Sequence, residues 1–254
     1  MDPHILFLDT SFMYPGRTRT REWVLQRFNL AIGKGEFHVL LGPSGCGKTT
    51  VLNLVAGFEH PSLGEVWVKG RRVTAPGVDR VVIFQSSDSL YPWLTALQNA
   101  EFGLRIAGMP GPERTRRALN FLRLVGLAGQ EHKFPCQLSG GMKQRVQLAR
   151  ALAGNADTLL MDEPFGALDA QTRSLLQTEL VQLWQQTRYT MLFVTHDISE
   201  AILLADRVSV MTSGPGATLK ETIDVPLGRP RSVAQPEFGD IYVRLNRLLG
   251  KEAA

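Results

Sequence analysis

The chain has 254 residues, 44% hydrophobic and 20% charged, with 28 Lys+Arg against 24 Asp+Glu and a net charge of +4. That length and apolar content let it bury a large core without disulfides or metal, and they exclude disordered, collagen-like and disulfide-scaffold classes. The mild basic excess is not gathered into a long block of one sign, so no nucleic-acid partner is expected, and Cys46 and Cys136 alone suggest a reducing compartment.

From the N-terminus, MDPHILFLDT has no basic n-region and no long apolar stretch, so it is not read as a secretory signal. Strand-length apolar runs follow at residues 5–8, 37–41, 66–68 and 81–84, each ending near Gly, Asp or a polar turn. Val51, Leu52, Val55 and Ala56 have helical spacing that stops at Gly57, an expected C-cap. From about residue 95 to 153 helical patterns take over: Ala118, Leu119, Leu122 and Val125, then Met142, Val146, Ala149 and Leu152. Strand-length runs return at 159–161, 191–194 and 208–211, with an amphipathic stripe of Leu175, Leu176, Leu180, Leu183 and Trp184 among them. Beyond Gly214 the prolines at Pro215, Pro226, Pro230 and Pro236 predict turns and extended pieces, with a short helix around residues 242–249. Strands separated by helices predict an α/β fold with a mostly parallel, covered sheet and a helical insertion. No apolar run is long enough to span a membrane, so at a membrane other chains must supply the spanning part.

Gly42-Pro43-Ser44-Gly45-Cys46-Gly47-Lys48-Thr49, with Thr50 behind it, matches the P-loop pattern after a strand and at the start of a helix. Glycines let successive backbone N–H groups turn toward an anion. The helix from Lys48 presents its positive end to the same phosphates. Lys48 adds charge on the β- and γ-phosphates, and the Thr49 hydroxyl is a ligand for Mg²⁺. Cys46 is read as a small space-filler. A P-loop alone fits kinases, GTPases and many ATPases, and three segments narrow the choice.

Thr158-Leu159-Leu160-Met161-Asp162-Glu163-Pro164 reads as a buried strand ending in two carboxylates. Asp162 is placed as the second Mg²⁺ anchor. Glu163, expected on the other face of the strand, is placed to deprotonate the attacking water. Leu138-Ser139-Gly140-Gly141-Met142 opens another helix, with Ser139 as N-cap and glycines exposing amides, a second anion site. Two such sites in one chain fit a head-to-tail dimer, in which this end covers the ATP of another subunit. Phe193-Val194-Thr195-His196-Asp197 is an apolar strand ending in a histidine, where sites of open α/β sheets gather.

This ordered set resembles the ATP-binding-cassette (ABC) ATPases over essentially the whole chain. The resemblance implies a P-loop NTPase core of the RecA-like kind, with an N-terminal antiparallel β subdomain and an inserted helical subdomain. The expected division is a nucleotide-binding core at about 1–90 and 155–213, a helical subdomain at about 91–154, and a tail at about 214–254 without a regulatory domain. By the same resemblance Gln85 is the Q-loop glutamine, near Mg²⁺ and the attacking water, Glu163 the catalytic base and His196 the switch histidine. Asp169 in Gly166-Ala167-Leu168-Asp169 matches the aspartate at the dimer interface. Tyr14 matches the aromatic that stacks on adenine, with Phe12 as the alternative ring. Met142 stands where many members carry Gln, and GALD replaces the commoner SALD.

The stretches from Gln85 to Thr95, Asn99 to Leu104 and Asp162 to Arg173, with Ser213-Gly214-Pro215-Gly216, resemble the nitrate/sulfonate/taurine importer ATPases. That branch implies ATP and Mg²⁺, two permease subunits, a second ATPase subunit (a copy or a close relative), and indirectly an extracytoplasmic solute-binding protein. It places the chain on the cytoplasmic face of a bacterial inner membrane. Pro92 and Trp93, just after Gln85, are expected to be exposed and to dock a cytoplasmic helix of the permease. A DNA-repair or translation ABC protein would carry a long coiled coil or a second cassette. A kinase or GTPase would leave LSGG, Gln85 and His196 unexplained.

Overall fold

The computed structural model describes residues 2–16, 22–84, 90–154, 156–166 and 168–250. In chain order the elements begin β1 (Ile5–Phe12), β2 (Leu25–Ile32), β3 (Phe37–Leu41), α1 (Lys48–Ala56), β4 (Leu63–Val68), β5 (Arg71–Arg72) and β6 (Arg80–Ile83). Then come α2 (Ala96–Ile106), α3 (Gly111–Leu124), α4 (Gly140–Ala153), β7 (Thr158–Asp162), α5 (Ala170–Thr187) and β8 (Thr190–Thr195). The last are α6 (Ile198–Leu204), β9 (Arg207–Met211), β10 (Leu219–Asp224) and α7 (Pro236–Leu248). Two compact units result: Met1–Gly77 with Arg188–Ala254, and Val78–Thr187. The division therefore groups β6, β7 and α5 with the helices α2 to α4.

The first unit holds an antiparallel sheet in the order β2-β1-β4-β5. It also holds β10-β9-β3-β8, where β3 runs parallel to β8 and β9 and β10 is antiparallel to β9. Every residue of β3 (FHVLL) and β8 (TMLFVT) is buried, as a parallel strand covered on both faces requires. Each fully buried Leu or Val there contributes about 1.5–3 kcal/mol.

β2 and β10 have no counterpart among the expected strands. In β2 the apolar residues Leu25, Phe28, Leu30 and Ile32 miss period two because Arg27, at φ +47°, bulges the strand. Asp9, at φ +42°, does the same in β1, and the β1–β2 register slips between Phe7 and Thr10. β10 (LKETID) is polar because it is an edge strand with only part of its surface covered. The tail is thus partly sheet, and it is clamped as well. Arg229 donates to Asp206 and to the Leu204 carbonyl, and Arg231 donates to the carbonyls of Ile202, Ala205 and Val225. Burial, with Arg229 nearby, lowers Arg231 to about 10. α7 starts earlier than expected, with Pro236 in its first turn and Phe238 and Leu245 buried.

In the second unit β6 and β7 are parallel, with Ile83 opposite Met161. α2 begins on a capping box of Thr95 and Gln98. α2, α3 and α4 pack around Ala96, Ala100, Ala118, Leu122, Val146 and Ala149, all fully buried. This is the helical region expected from the chain's periodicity.

Candidate functional site

The phosphate cradle lies in the first unit. After β3 the chain turns through Gly45 (φ +79°) and Gly47 (φ +94°), left-handed conformations that suit glycine. Gly47 caps α1 with no side-chain bond, and no acidic residue stands in the first turn, so the opening amides face outward for an anion. A Cβ on Gly42 would meet Cys46 Sγ at 2.8 Å and Met211 Cβ at 3.1 Å. One on Gly47 would meet Val24 Cγ1 at 3.0 Å and Leu25 Cδ2 at 3.1 Å. The loop is thus pressed against buried walls. Cys46 is fully buried, 3.9 Å from Met211 Sδ, and fills space as expected. Pro43 is half-buried, and Ser44, Gly45 and Thr49 are exposed. Lys48 is buried, and its ammonium donates to the carbonyls of Gly42 (2.8 Å) and Pro43 (2.9 Å), which hold it inside the cradle.

Two further predicted residues border this loop within the same unit. β3 and β8 are in register with Leu41 opposite Thr195, so Gly42 and His196 leave neighbouring parallel strands at the same end. Such neighbours are about 4.8 Å apart. His196 is exposed, held between β8 and a turn in which Asp197 caps α6 by accepting the Glu200 amide at 3.1 Å. Tyr14 is half-buried, its hydroxyl 3.2 Å from that of buried Thr50 on α1. Phe12 is 2% exposed and meets Tyr14 edge-to-face at 4.8 Å, so Tyr14 is the more exposed of the two rings.

The carboxylates and the signature turn belong to the second unit. Asp162 ends β7, half-buried. Glu163 does not continue the strand to its other face, as strand alternation had suggested. It has φ +44° and opens a turn closed by the Gly166 amide on the Glu163 carbonyl at 3.0 Å. A non-glycine residue in that region costs about 1–2 kcal/mol, a strain typical of functional positions. Ser139 caps α4, its Oγ accepting the Met142 amide at 3.3 Å, and Ser139 and Gly140 are exposed. A Cβ on Gly141 would lie 2.7 Å from Thr172 Cγ2, so no larger residue fits without movement. Met142 packs against the helical core, which accounts for an apolar residue there. Asp169 accepts the Thr172 amide at 3.0 Å, and that bond holds its carboxyl below the usual range.

Gln85 and Ala167 lie outside the described residues. Pro92 is exposed and Trp93 is 69% exposed. Trp93 touches Tyr91 (ring centroids 5.6 Å), and buried Asn99 pins this loop by bonding Tyr91 and Leu94 backbone atoms.

Two features escaped the reading of the sequence. Gln144 on α4 donates its amide to the Pro164 carbonyl, beside Glu163. No local motif marks it, since its partner lies 20 residues on. His38, in the middle of β3, bonds Glu36 (2.7 Å) and Ser209 (2.9 Å), and Arg207 pairs with Glu36 (2.8 Å). Burial alone would raise Glu36, but His38, Arg207 and the Gly33 amide outweigh it and hold it at about 2. Burial pushes His38 below the usual imidazole value. A polar residue inside an otherwise apolar buried strand is the one signal that pointed there.

An antiparallel sheet, a mostly parallel core sheet with a P-loop, and a helical insert that carries a capped LSGG turn define an ABC ATPase. The ABC transporter family matches residues 25–166, and this chain belongs to that family as an ATP-binding, ATP-hydrolysing transporter subunit. It is 48% identical to the nitrate import ATP-binding protein NrtD of Synechococcus elongatus, covering 85% of this chain and 81% of that protein. It is 46% identical to the taurine import ATP-binding protein TauB of Sinorhizobium fredii, covering 96% and 94%. A solved dimeric ATP-binding cassette in a post-hydrolysis state with ADP and Pi is 31% identical, with a TM-score of 0.75, covering 88% of this chain and 100% of that one. Among the described residues no helix is long and apolar enough to cross a membrane.

Proposed function

We propose that this chain is the motor of an importer for a small anionic nutrient such as an aliphatic sulfonate, taurine or nitrate. The observation that carries the proposal is near-equal identity, over most of the chain, to import ATP-binding proteins for nitrate and for taurine. In this reading the chain lies on the cytoplasmic face of the membrane, attached to two permease subunits and served by an extracytoplasmic binding protein. Trp93 and Pro92, presented by the Asn99-pinned loop, meet a permease helix, and Gln85 lies next to that contact in sequence.

Each ATP is held by the P-loop amides from Gly42 to Thr50 and by Lys48, with Tyr14 against the adenine. Ser139, Gly140 and Gly141 of a second ATPase subunit, a copy or a close relative, close on its phosphates, and Asp169 lies at that dimer contact. The exposure of the signature turn in a single chain supports this reading. Thr49, Asp162 and Gln85 offer the hard oxygen donors that suit Mg²⁺, which keeps few protein ligands when it binds with a nucleotide. Bound there, Mg²⁺ would supply positive charge to the nucleotide's phosphates. Glu163 accepts a proton from the attacking water, and His196 donates to the γ-phosphate. Binding closes the dimer and hydrolysis reopens it.

The test is growth and uptake in a strain lacking the gene, with taurine and alkanesulfonates as sole sulfur sources and nitrate as sole nitrogen source. A defect on one of them, rescued by wild type and not by Glu163→Gln, is expected. Normal growth on all of them would remove the oxyanion assignment and turn the search to thiamine precursors or aromatic acids. In vitro, Glu163→Gln should hydrolyse ATP about 100-fold more slowly, keep ATP affinity and accumulate as a dimer.

A further inference from the structure

Glu163 holds a conformation that its own side chain disfavours, so something must hold the turn around it. The turn's carbonyls are engaged one after another. The Glu163 carbonyl accepts the Gly166 amide, the Pro164 carbonyl accepts Gln144 Nε2, and the Phe165 carbonyl accepts the Leu168 amide at 3.2 Å. Two of these bonds are local to the turn, whereas the Gln144 bond reaches in from α4. Only the amide nitrogen of Gln144 can serve a carbonyl, which orients the side chain. Its Oε1 is buried and has no hydrogen-bond partner among the described residues. Ile83, Leu148, Met161 and Phe165 surround the contact, so the bond is made in apolar surroundings, where it is strong and its loss is costly. Gln144 also stands on the helix that opens with Ser139-Gly140-Gly141, about one turn from the signature glycines.

We propose that Gln144 is a positioning residue for hydrolysis: it holds the Glu163–Gly166 turn and ties the catalytic carboxylate to the signature helix. Engagement of that helix by a second subunit then bears directly on where Glu163 sits. The proposal rests on Glu163 being the base, and the experiment separates the two.

The full chain is compared with Gln144→Met, which keeps the volume and suits the apolar surroundings, and Gln144→Glu, which keeps the shape but removes the donor. Single-turnover hydrolysis, fluorescent-ATP affinity and thermal unfolding are measured for each variant, alone and combined with Glu163→Gln. Gln144→Met should slow hydrolysis about tenfold, and Gln144→Glu by more, with ATP affinity within about twofold. In the Glu163→Gln background Gln144→Met should cost less than about twofold, because two residues acting as one unit are not additive. Unfolding temperatures should match their parents'. Hydrolysis unchanged by Gln144→Met, an equal cost in both backgrounds, or a loss that follows ATP affinity or melting temperature would overturn the role of Gln144 alone. Normal hydrolysis by Glu163→Gln would remove the base, and this proposal with it. If Gln144→Glu fails to fold, Gln144→Met decides.

Discussion

The P-loop turn and the signature turn both stand at a helix start, yet they are built in opposite ways. The cradle is finished within its own unit. Its lysine is buried and bonded, its cysteine fills a buried wall, and an added Cβ on Gly42 or Gly47 would meet neighbours at 2.8–3.1 Å. The signature turn is open. Ser139 Oγ accepts the amide that closes its own cap, and Ser139 and Gly140 face solvent. Completeness in one place and exposure in the other are what a subunit needs if it binds nucleotide alone and hydrolyses it only when a second copy docks.

That contrast can be broken from either side. Lys48→Ala removes the buried charge from the finished site, and ATP affinity should fall about 100-fold in a fluorescent-nucleotide titration, even at concentrations where the chain is monomeric. Gly141→Ala should do the reverse. Its Cβ would press on Thr172, so hydrolysis and the ATP-dependent dimer should weaken about tenfold, while monomer ATP affinity stays within about twofold. Equal loss of monomer affinity in both variants would erase the distinction.

Smaller effects sharpen the comparison within the cradle. Tyr14→Ala should raise KM for ATP about tenfold through lost stacking, worth about 1–3 kcal/mol. Tyr14→Phe keeps the ring and removes the hydroxyl that meets Thr50, so KM should rise about two- to threefold. Beneath the cradle, Gly214 lies against the Gly45 carbonyl, where an added Cβ would stand at 3.5 Å. Gly214→Leu should therefore raise KM several-fold, about as far as a modest overpacking strain reaches.

The smallest effect is on stability. Glu36 sits at about 2 against an ordinary 4.5, and His38 is held below 6.5. Both folded values lie below the unfolded ones, so the unfolded chain binds more protons on acidification. Stability is then fully present above about pH 6.5, declines below it as His38 resists protonation, and falls further from pH 4.5 toward 2. Melting temperature should drop by about 2–4 °C per pH unit where one group titrates. A melting temperature flat from pH 7 to 5 would rule out His38 as a group kept neutral by the fold.

What the sequence by itself determined is what neighbouring residues decide among themselves. The P-loop, the Ser139 cap, the Gly57 stop and the buried runs of β3, β7 and β8 need only consecutive residues, because backbone conformation, capping and apolar burial act at short range. Trp93 was legible for the same reason, being an aromatic in a Pro-bounded polar loop. Tertiary structure alone decided the rest. β2 was hidden because the bulge at Arg27 breaks the alternation that marks a strand, and β10 because an edge strand can be polar. Packing also decided that Phe12 is buried while Tyr14 is half-buried. Glu163 left the strand's alternation for a turn closed by the Gly166 amide, which strand periodicity does not register, and the Gln144 bond near it joins groups distant in sequence that burial brings together. Such contacts leave no local pattern, since the energy that selects them comes from desolvating partners the chain meets only once it has folded.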